Sequence, residues 1–242
     1  MPHIERASNW VLAIGVAAAG WFVGWGFSKG RAADRFVTVK GVSEREVKAD
    51  LAFWPLQLAS TDDDLSRAQT RLNDNVQKVR GFLQSNGIEA SQVELQGLRV
   101  TDVLANPYQQ ARAGNRFIIQ QTVLVRSNDP DRVLAASQEV GELVNAGVVL
   151  SSGPEWGPGG PTFLFKRLND LKPEMIAEAT AEARKAAEQF ARDSGSRVGG
   201  IRRANQGVFV ILPRDEMQGV PEQNQLYKTV RVVATVEYLL QG

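Results

Sequence analysis

The longest regular pattern of apolar residues in the chain lies between residues 169 and 194. Apolar side chains recur there at steps of three and four residues, which is the period of one face of an α-helix. Pro173 suits the first turn of such a helix, with Asn169 or Asp170 as its cap, and Gly195 suits the residue after its last turn. The stretch predicts one long helix whose apolar face consists of Ile176, Ala179, Ala183, Ala187 and Phe190.

Alanine dominates this predicted face. Small side chains let the axis of a helix approach a sheet or another helix closely, while each residue buries little area. Two interpretations stay open on the sequence alone. Either the face packs on a sheet of the same chain, or the five residues form a contact between subunits.

A second amphipathic helix is predicted to begin after residues 61–64, which supply a cap and acidic charge for its first turn. Gly87 marks its end. Although the aspartates at 62–64 are candidate metal ligands, we interpret them as a helix start because no second acidic cluster has matching spacing. The predicted inward face consists of Leu65, Ala68, Leu72, Val76, Val79 and Leu83.

Alternation of apolar and polar residues predicts the strands of the chain. In the strand between Val93 and Val100 the alternation changes phase at Gly97, which indicates a β-bulge. From residue 117 onwards the predicted order is β (117–126), α (130–145), β (147–152), β (162–167), α (172–194) and β (199–212).

That order is the order of a ferredoxin-like βαββαβ plait. The fold class predicted is therefore α+β, with an N-terminal transmembrane helix followed by two intertwined α+β units. Residues 113–223 form the inserted, ferredoxin-like unit. Residues 35–112 and 224–242 form the outer unit, in which the last strand pairs with the first group of strands. Residues 1–34 are the membrane anchor and a spacer.

The predicted anchor is the run of 18 uncharged residues from Trp10 to Phe27. As a helix this run is just long enough to cross a hydrocarbon core of roughly 30 Å. Residues 17–19 resemble a signal-peptide cleavage site, but the apolar run continues beyond them, which favours a retained anchor. Gly20 and Gly24 form a GxxxG face of the kind that packs transmembrane helices together. The flanking charges do not decide the orientation.

Composition restricts the chemistry of the chain. A net charge of +1 over 242 residues gives no general attraction to nucleic acid. Because the chain has no cysteine and one histidine, His3, it excludes disulfides, thiol catalysis, Cys/His zinc sites and histidine-based catalytic triads. We accordingly predict no catalytic residue, no cofactor and no metal site.

Three passages of the sequence carry a resemblance to a known family. They are FVTVKGVSEREVKADLAFWPL, which contains Lys48-Ala49-Asp50, the alanine-rich helix running into Gly195 and Val198-Gly199, and the closing KTVRVVATVEYLL. Together they resemble the SIMPL-domain (DUF541) proteins from Phe36 to Leu240. The resemblance implies a bacterial envelope protein with two intertwined α+β domains, higher oligomers and a link to oxidative-stress tolerance. It also implies that the folded part lies in the periplasm, outside the inner membrane.

Three function hypotheses follow. The first is a non-enzymatic, membrane-anchored homo-oligomer that acts as a scaffold or cage. The second is a module that binds a ligand or another envelope partner through a basic patch on the C-terminal strands. The third is an enzyme that uses carboxylates, for example a hydrolase acting on glycans. Glycoside hydrolysis needs two carboxylates about 5 to 10 Å apart across a cleft, and no spacing in the sequence points to such a pair. The residues of the predicted basic patch are Arg197, Arg202, Arg203, Lys228 and Arg231.

Overall fold

The computed structural model describes residues 15–24, 35–105, 115–150 and 160–241, and it has a mixed α+β architecture with two four-stranded sheets. Its helices are α1 (15–24), α2 (Leu65–Ser85), α3 (Pro130–Gln138), α4 (Gly141–Asn145) and α5 (Leu168–Asp193). Its strands are β1 (Phe36–Lys48), β2 (Leu51–Asp62), β3 (Val93–Asp102), β4 (Phe117–Ser127), β5 (Thr162–Leu164), β6 (Arg197–Gln206), β7 (Val210–Pro213) and β8 (Tyr227–Gln241).

Contacts group the described residues into two compact units. The first unit comprises the described parts of Met1–Glu44, Lys172–Val210 and Arg231–Gly242. The second unit comprises those of Arg45–Leu171 and Ile211–Val230. These boundaries differ from those of the predicted inserted unit at 113–223.

The second unit contains the sheet β3-β4-β2-β5, with α2 packed on β2 and β4. β2 pairs antiparallel with β4 from Ala52 opposite Ser127 to Asp62 opposite Phe117. The apolar face predicted for α2 is confirmed except at Leu65, which is 43% exposed. The core between helix and sheet includes Trp54, Leu58, Leu72, Val79, Leu83, Ile119, Val123 and Val125.

The ends of α2 are also as predicted. The Asp64 side chain caps the helix by accepting a hydrogen bond from the Arg67 amide at 3.0 Å. Gly87, with φ of 75°, adopts the left-handed conformation that closes many helices, and the Ile88 amide donates to the Leu83 carbonyl at 2.9 Å. Local capping chemistry therefore fixes both limits of this helix.

The first unit contains α5 from Lys172 onwards, β6 and the parts of β1 and β8 within its bounds, in the strand order β1-β8-β6. The pairing predicted between the last strand and the first is confirmed, because β8 lies directly beside β1. The core of this unit consists of Val37, Ala183, Ala187, Val236 and Tyr238.

A very close approach of backbone to backbone shapes the first unit. A methyl group built on Gly41 of β1 would lie 1.8 Å from the Ala179 carbonyl oxygen and 2.4 Å from the Ala183 nitrogen of α5. Such an approach requires glycine on the strand and small residues on the helix. The alanine face of α5 therefore reflects the spacing between helix and sheet in this unit.

The predicted ferredoxin-like plait is wrong. β4 and β6, which the plait would place in one sheet, lie in different sheets. Residues 130–145 form two short helices, α3 and α4, and the described part of 147–152 forms only an isolated bridge between Leu150 and Leu58. Element order does not specify which strands pair, and here the matched apolar faces of β2 and β4 join strands that are far apart in the chain.

The start of α5 also differs from the prediction. The helix begins at Leu168, so Pro173 lies inside it and neither Asn169 nor Asp170 is its cap. Proline at this position removes the hydrogen bond that its amide would donate to the Asn169 carbonyl. The segment that precedes the helix is held instead by Asp50, a residue distant in sequence.

The helix α1 covers only part of the predicted anchor. Residues 10–14 and 25–27 lie outside the described residues, so the span predicted from Trp10 to Phe27 stays a prediction. Within the part of the chain that the structure describes, no helix is both long and apolar enough to cross a membrane.

Candidate interaction surfaces

The Lys48-Ala49-Asp50 passage joins β1 to β2 and has a structural role. The Asp50 carboxylate accepts hydrogen bonds from the backbone amides of Lys166 and Arg167, each at 3.0 Å, immediately before α5. Lys48 forms an ion pair with Asp131 and lies over the Tyr227 ring. A carboxylate that binds two successive backbone amides holds the segment before the helix by charge-assisted hydrogen bonds.

Replacing Asp50 by alanine is expected to lower the free energy of unfolding by about 2 kcal/mol, because two charge-assisted hydrogen bonds to backbone amides are lost. Urea denaturation measures the change. Asp74→Ala, an exposed position on α2, is the matched control and is expected to change stability by less than about 0.5 kcal/mol. Equal effects of the two substitutions would contradict the role of Asp50 in holding the segment before α5.

The alanine face of α5 is buried within the chain. Ala179, Ala183 and Ala187 have no exposed surface, and Met175 and Ala191 complete the buried face at steps of four residues. These three predicted interface residues are therefore unavailable to another subunit in this fold. Of the other two predicted residues, Ile176 is half-buried and Phe190 is 51% exposed.

The predicted basic patch does not form one exposed surface. Lys228 is fully buried, and Arg231 is paired with Glu44 at 3.2 Å. Arg197, Arg202 and Arg203 are exposed on β6, and the Arg202 guanidinium lies 4.2 Å from the centre of the Phe36 ring. The sequence placed these cations on neighbouring strands but did not show which of them would be buried or paired with acidic side chains of the same chain.

Lys228 forms a buried ionic site with Glu222. Its ammonium group pairs with the Glu222 carboxylate and donates to the Glu222 backbone oxygen at 2.7 Å. The glutamate side chain is 32% exposed, whereas the lysine side chain is completely covered. This arrangement neutralises a buried charge and is not a binding site for an anion.

The aspartates at 62–64 are engaged in local structure, in agreement with the helix-start interpretation. Asp62 pairs with Arg67 at 2.8 Å and with Arg71 at 3.1 Å. The hydrogen bond from Arg67, assisted by the Asp64 amide, holds the pKa of the Asp62 carboxyl below its ordinary value. Asp62 therefore remains ionised and paired at neutral pH. No group of metal-ligating side chains occurs among the residues that the structure describes.

A polar groove of about 380 Å³ lies beside this cluster. Arg71, Asp74 and Lys78 of α2 line it, together with main-chain groups near Gly147. Both cations already have partners, since Arg71 binds Asp62 and Lys78 donates to the Ala146 carbonyl at 2.9 Å. Neither of these two cations is therefore directed into the groove without a protein partner.

β3 is the edge strand of its sheet, and both of its faces are open to solvent. Every residue from Glu94 to Thr101 is exposed, and Leu95, Leu98 and Val100 are exposed by 41%, 55% and 49%. The sequence predicted this strand and its bulge, which is confirmed by the register shift between Gln96 and Arg99. It did not predict the edge position, because position in a sheet depends on pairing with distant strands.

β6 is an edge strand of the other sheet and has a different character. Its exposed residues include Ile201 and the three arginines described above, and no acidic residue occurs in it. Like charges along an edge discourage pairing with a second copy of the same strand. The two edges therefore differ in their capacity for self-association.

Gly20 and Gly24 lie on α1, and methyl groups built on them would contact nothing within 4 Å. The GxxxG face consequently has no partner among the described residues of its own chain. Its predicted role in packing an anchor is not tested by this observation and stays a prediction.

The SIMPL family, described as a protein of unknown function (DUF541), matches residues 37–238. The chain belongs to the SIMPL family. A comparison with curated proteins found no match.

Proposed function

We propose that this SIMPL-family protein is a non-enzymatic, membrane-anchored scaffold that acts as a homo-oligomer in the periplasm of a bacterial envelope. Its folded units carry the contacts between subunits, and its N-terminal segment holds the assembly at the inner membrane. A contribution to oxidative-stress tolerance is the physiological role expected of such an assembly.

The observation that carries the proposal is the open β3 edge. Soluble proteins usually protect sheet edges with charges, prolines, short strands or a covering helix, because an unpaired edge pairs readily with another chain. β3 has ten residues and three exposed apolar side chains, and α2 packs instead on β2 and β4. A strand of this kind is stabilised by a partner.

The anchor and the location rest on sequence. The uncharged run at residues 10–27 has the length of a membrane span. The periplasmic location is what the resemblance of the sequence to the SIMPL-domain proteins implies. The non-enzymatic role rests on the lack of cysteine, the single histidine, and the structural engagement of Asp50 and Asp62. A binding module on the C-terminal strands is less well supported, because Lys228 is buried.

The solution mass of the full-length protein in detergent, measured beside that of residues 35–242, tests this proposal. We expect the same oligomer in both samples, since the folded units carry the contacts. Assembly of the full-length form alone would place the contacts at Gly20 and Gly24 instead. Monomers in both samples at micromolar concentration would overturn the scaffold role.

A further inference from the structure

We propose that β3 pairs antiparallel with β3 of a second copy, about a two-fold axis that passes between Gln96 and Gly97. This inference rests on the proposed function, because it identifies the subunit contact of the homo-oligomer. The occupant of the edge is therefore the same strand of an identical chain.

The bulge determines which side chains of β3 share a face. Val93 and Leu95 lie opposite Val125 and Val123 of β4, and Val100 lies opposite Ile119. These β4 residues belong to the buried core face. Between Gln96 and Arg99, β3 has two residues where β4 has one, and Gly97 has a φ of 62°. The extra residue brings Leu98 onto the same face as Leu95.

In one register, the faces and the charges of two antiparallel β3 strands are complementary to each other. In antiparallel pairs, side chains directly opposite each other lie on the same face of the sheet. With the axis between Gln96 and Gly97, Leu95 of each copy lies opposite Leu98 of the other, on the core side. Glu94 lies opposite Arg99 on the other side. The two-fold axis repeats each contact, so two ion pairs and two leucine pairs form.

Other registers are less favourable. A shift of one residue in either direction places Leu95 opposite Gly97 or Arg99, which breaks the match of the faces. A shift of two residues can place Leu95 opposite Val100, but Glu94 then lies opposite Thr101 and the ion pairs are lost. The bulge therefore selects one register, and without it Leu95 and Leu98 would point to opposite faces.

Charge separates this edge from that of β6. β3 carries one glutamate and one arginine in positions that meet across the axis, whereas β6 carries three arginines and no acidic residue. Self-pairing of β6 would bring like charges together. A two-fold contact through β3 is also closed, because each copy uses the same edge and leaves no β3 edge for a third chain.

Mixed cysteine variants of the full chain test the register, since the natural sequence contains no cysteine. Leu95→Cys and Leu98→Cys, one carrying an affinity tag, are mixed and oxidised. Opposed residues have Cα atoms about 4.5 to 5.5 Å apart, within the range that a disulfide spans. We expect the mixture to cross-link at least about five times more than either variant alone, because identical positions lie about 10 Å apart along the strands.

Controls separate the alternatives. More cross-linking between Leu95→Cys and Val100→Cys would overturn the register, and more between Leu95→Cys and Ile201→Cys would show pairing of β3 with β6. An oligomer without any of these cross-links would refute the β3 contact and leave the proposed scaffold intact. A monomer at all concentrations would refute both.

Charge variants provide an independent readout on exposed residues. Arg99→Glu places a glutamate opposite Glu94 of the other copy at both ion-pair positions. We expect this repulsion to raise the dissociation constant of the dimer about tenfold. Glu94→Arg combined with Arg99→Glu restores the complementary pair and is expected to return the constant to within about threefold of the natural value. Arg80→Glu, the same charge change on the exposed face of α2, is the control. Failure of the double variant to recover would contradict the proposed pairing.

Discussion

Replacing Gly41 by alanine is expected to unfold the unit formed by β1, α5, β6 and β8. The added methyl group would lie 1.8 Å from the Ala179 carbonyl oxygen and 2.4 Å from the Ala183 nitrogen. Both are main-chain atoms, so no side-chain rotation relieves the overlap and the helix must move away from the strand. Because that movement opens the small core of the unit, we expect a loss of at least about 3 kcal/mol in the free energy of unfolding.

Thermal and urea denaturation measure this loss. Gly81→Ala is the matched control, because Gly81 lies on the exposed side of α2 with open space around its Cα. That substitution is expected to be neutral or to stabilise the protein by up to about 1 kcal/mol, since alanine is the better helix former. A Gly41→Ala protein as stable as the Gly81→Ala protein would show that α5 does not lie against β1 as described.

Replacing Glu222 by glutamine is expected to cost about 3 kcal/mol of stability, because it leaves the buried ammonium group of Lys228 without a counter-charge. The Glu222 backbone oxygen, at 2.7 Å, remains as an acceptor but carries only a partial charge. Lys228→Met removes the charge that needs compensation, and the partly exposed Glu222 carboxylate can then be hydrated. We therefore expect Lys228→Met to cost less than about 1.5 kcal/mol.

A double-mutant cycle in urea separates the two contributions. The combined variant, Glu222→Gln with Lys228→Met, is expected to have a stability close to that of Lys228→Met alone, since glutamine needs no charged partner. A larger loss from Lys228→Met than from Glu222→Gln would contradict the interpretation that the buried charge is the source of the effect.

Features set by neighbouring residues were predictable from the sequence. The cap at Asp64, the closing turn at Gly87 and the bulge at Gly97 each depend on a few adjacent residues, and the structure confirms all three. The family membership was also recognisable, because its distinctive passages occur in order along the chain. Local chemistry thus explains most of the successful predictions.

Features set by long-range pairing were not predictable. Element order suggested a ferredoxin-like plait, yet β4 pairs with β2 across a gap that includes α2 and β3. The segment immediately before α5 is held by Asp50, more than a hundred residues away in sequence. In both cases the sequence identifies an element correctly but carries no local information about its partner.

The candidate surfaces show the same difference between locally determined and long-range features. Alanines at helical spacing indicated a close contact, but only the position of Gly41 shows that the contact is with β1 of the same chain. The basic residues near the C-terminus were correctly assigned to strands, whereas the burial of Lys228 depends on the segment containing Glu222. β3 was predicted as a strand, but its availability for pairing with another chain follows from its place at the edge of the sheet.

Hydrogen exchange of the β3 amides at several protein concentrations tests the central claim most directly. In an edge strand, alternate amides point away from the neighbouring strand and are free to exchange. We predict that these outward amides between Val93 and Thr101 exchange at least about tenfold more slowly in the assembled protein than after dilution to monomer, while α2 is unchanged. Exchange that is fast and independent of concentration in an assembled protein would contradict self-association through β3.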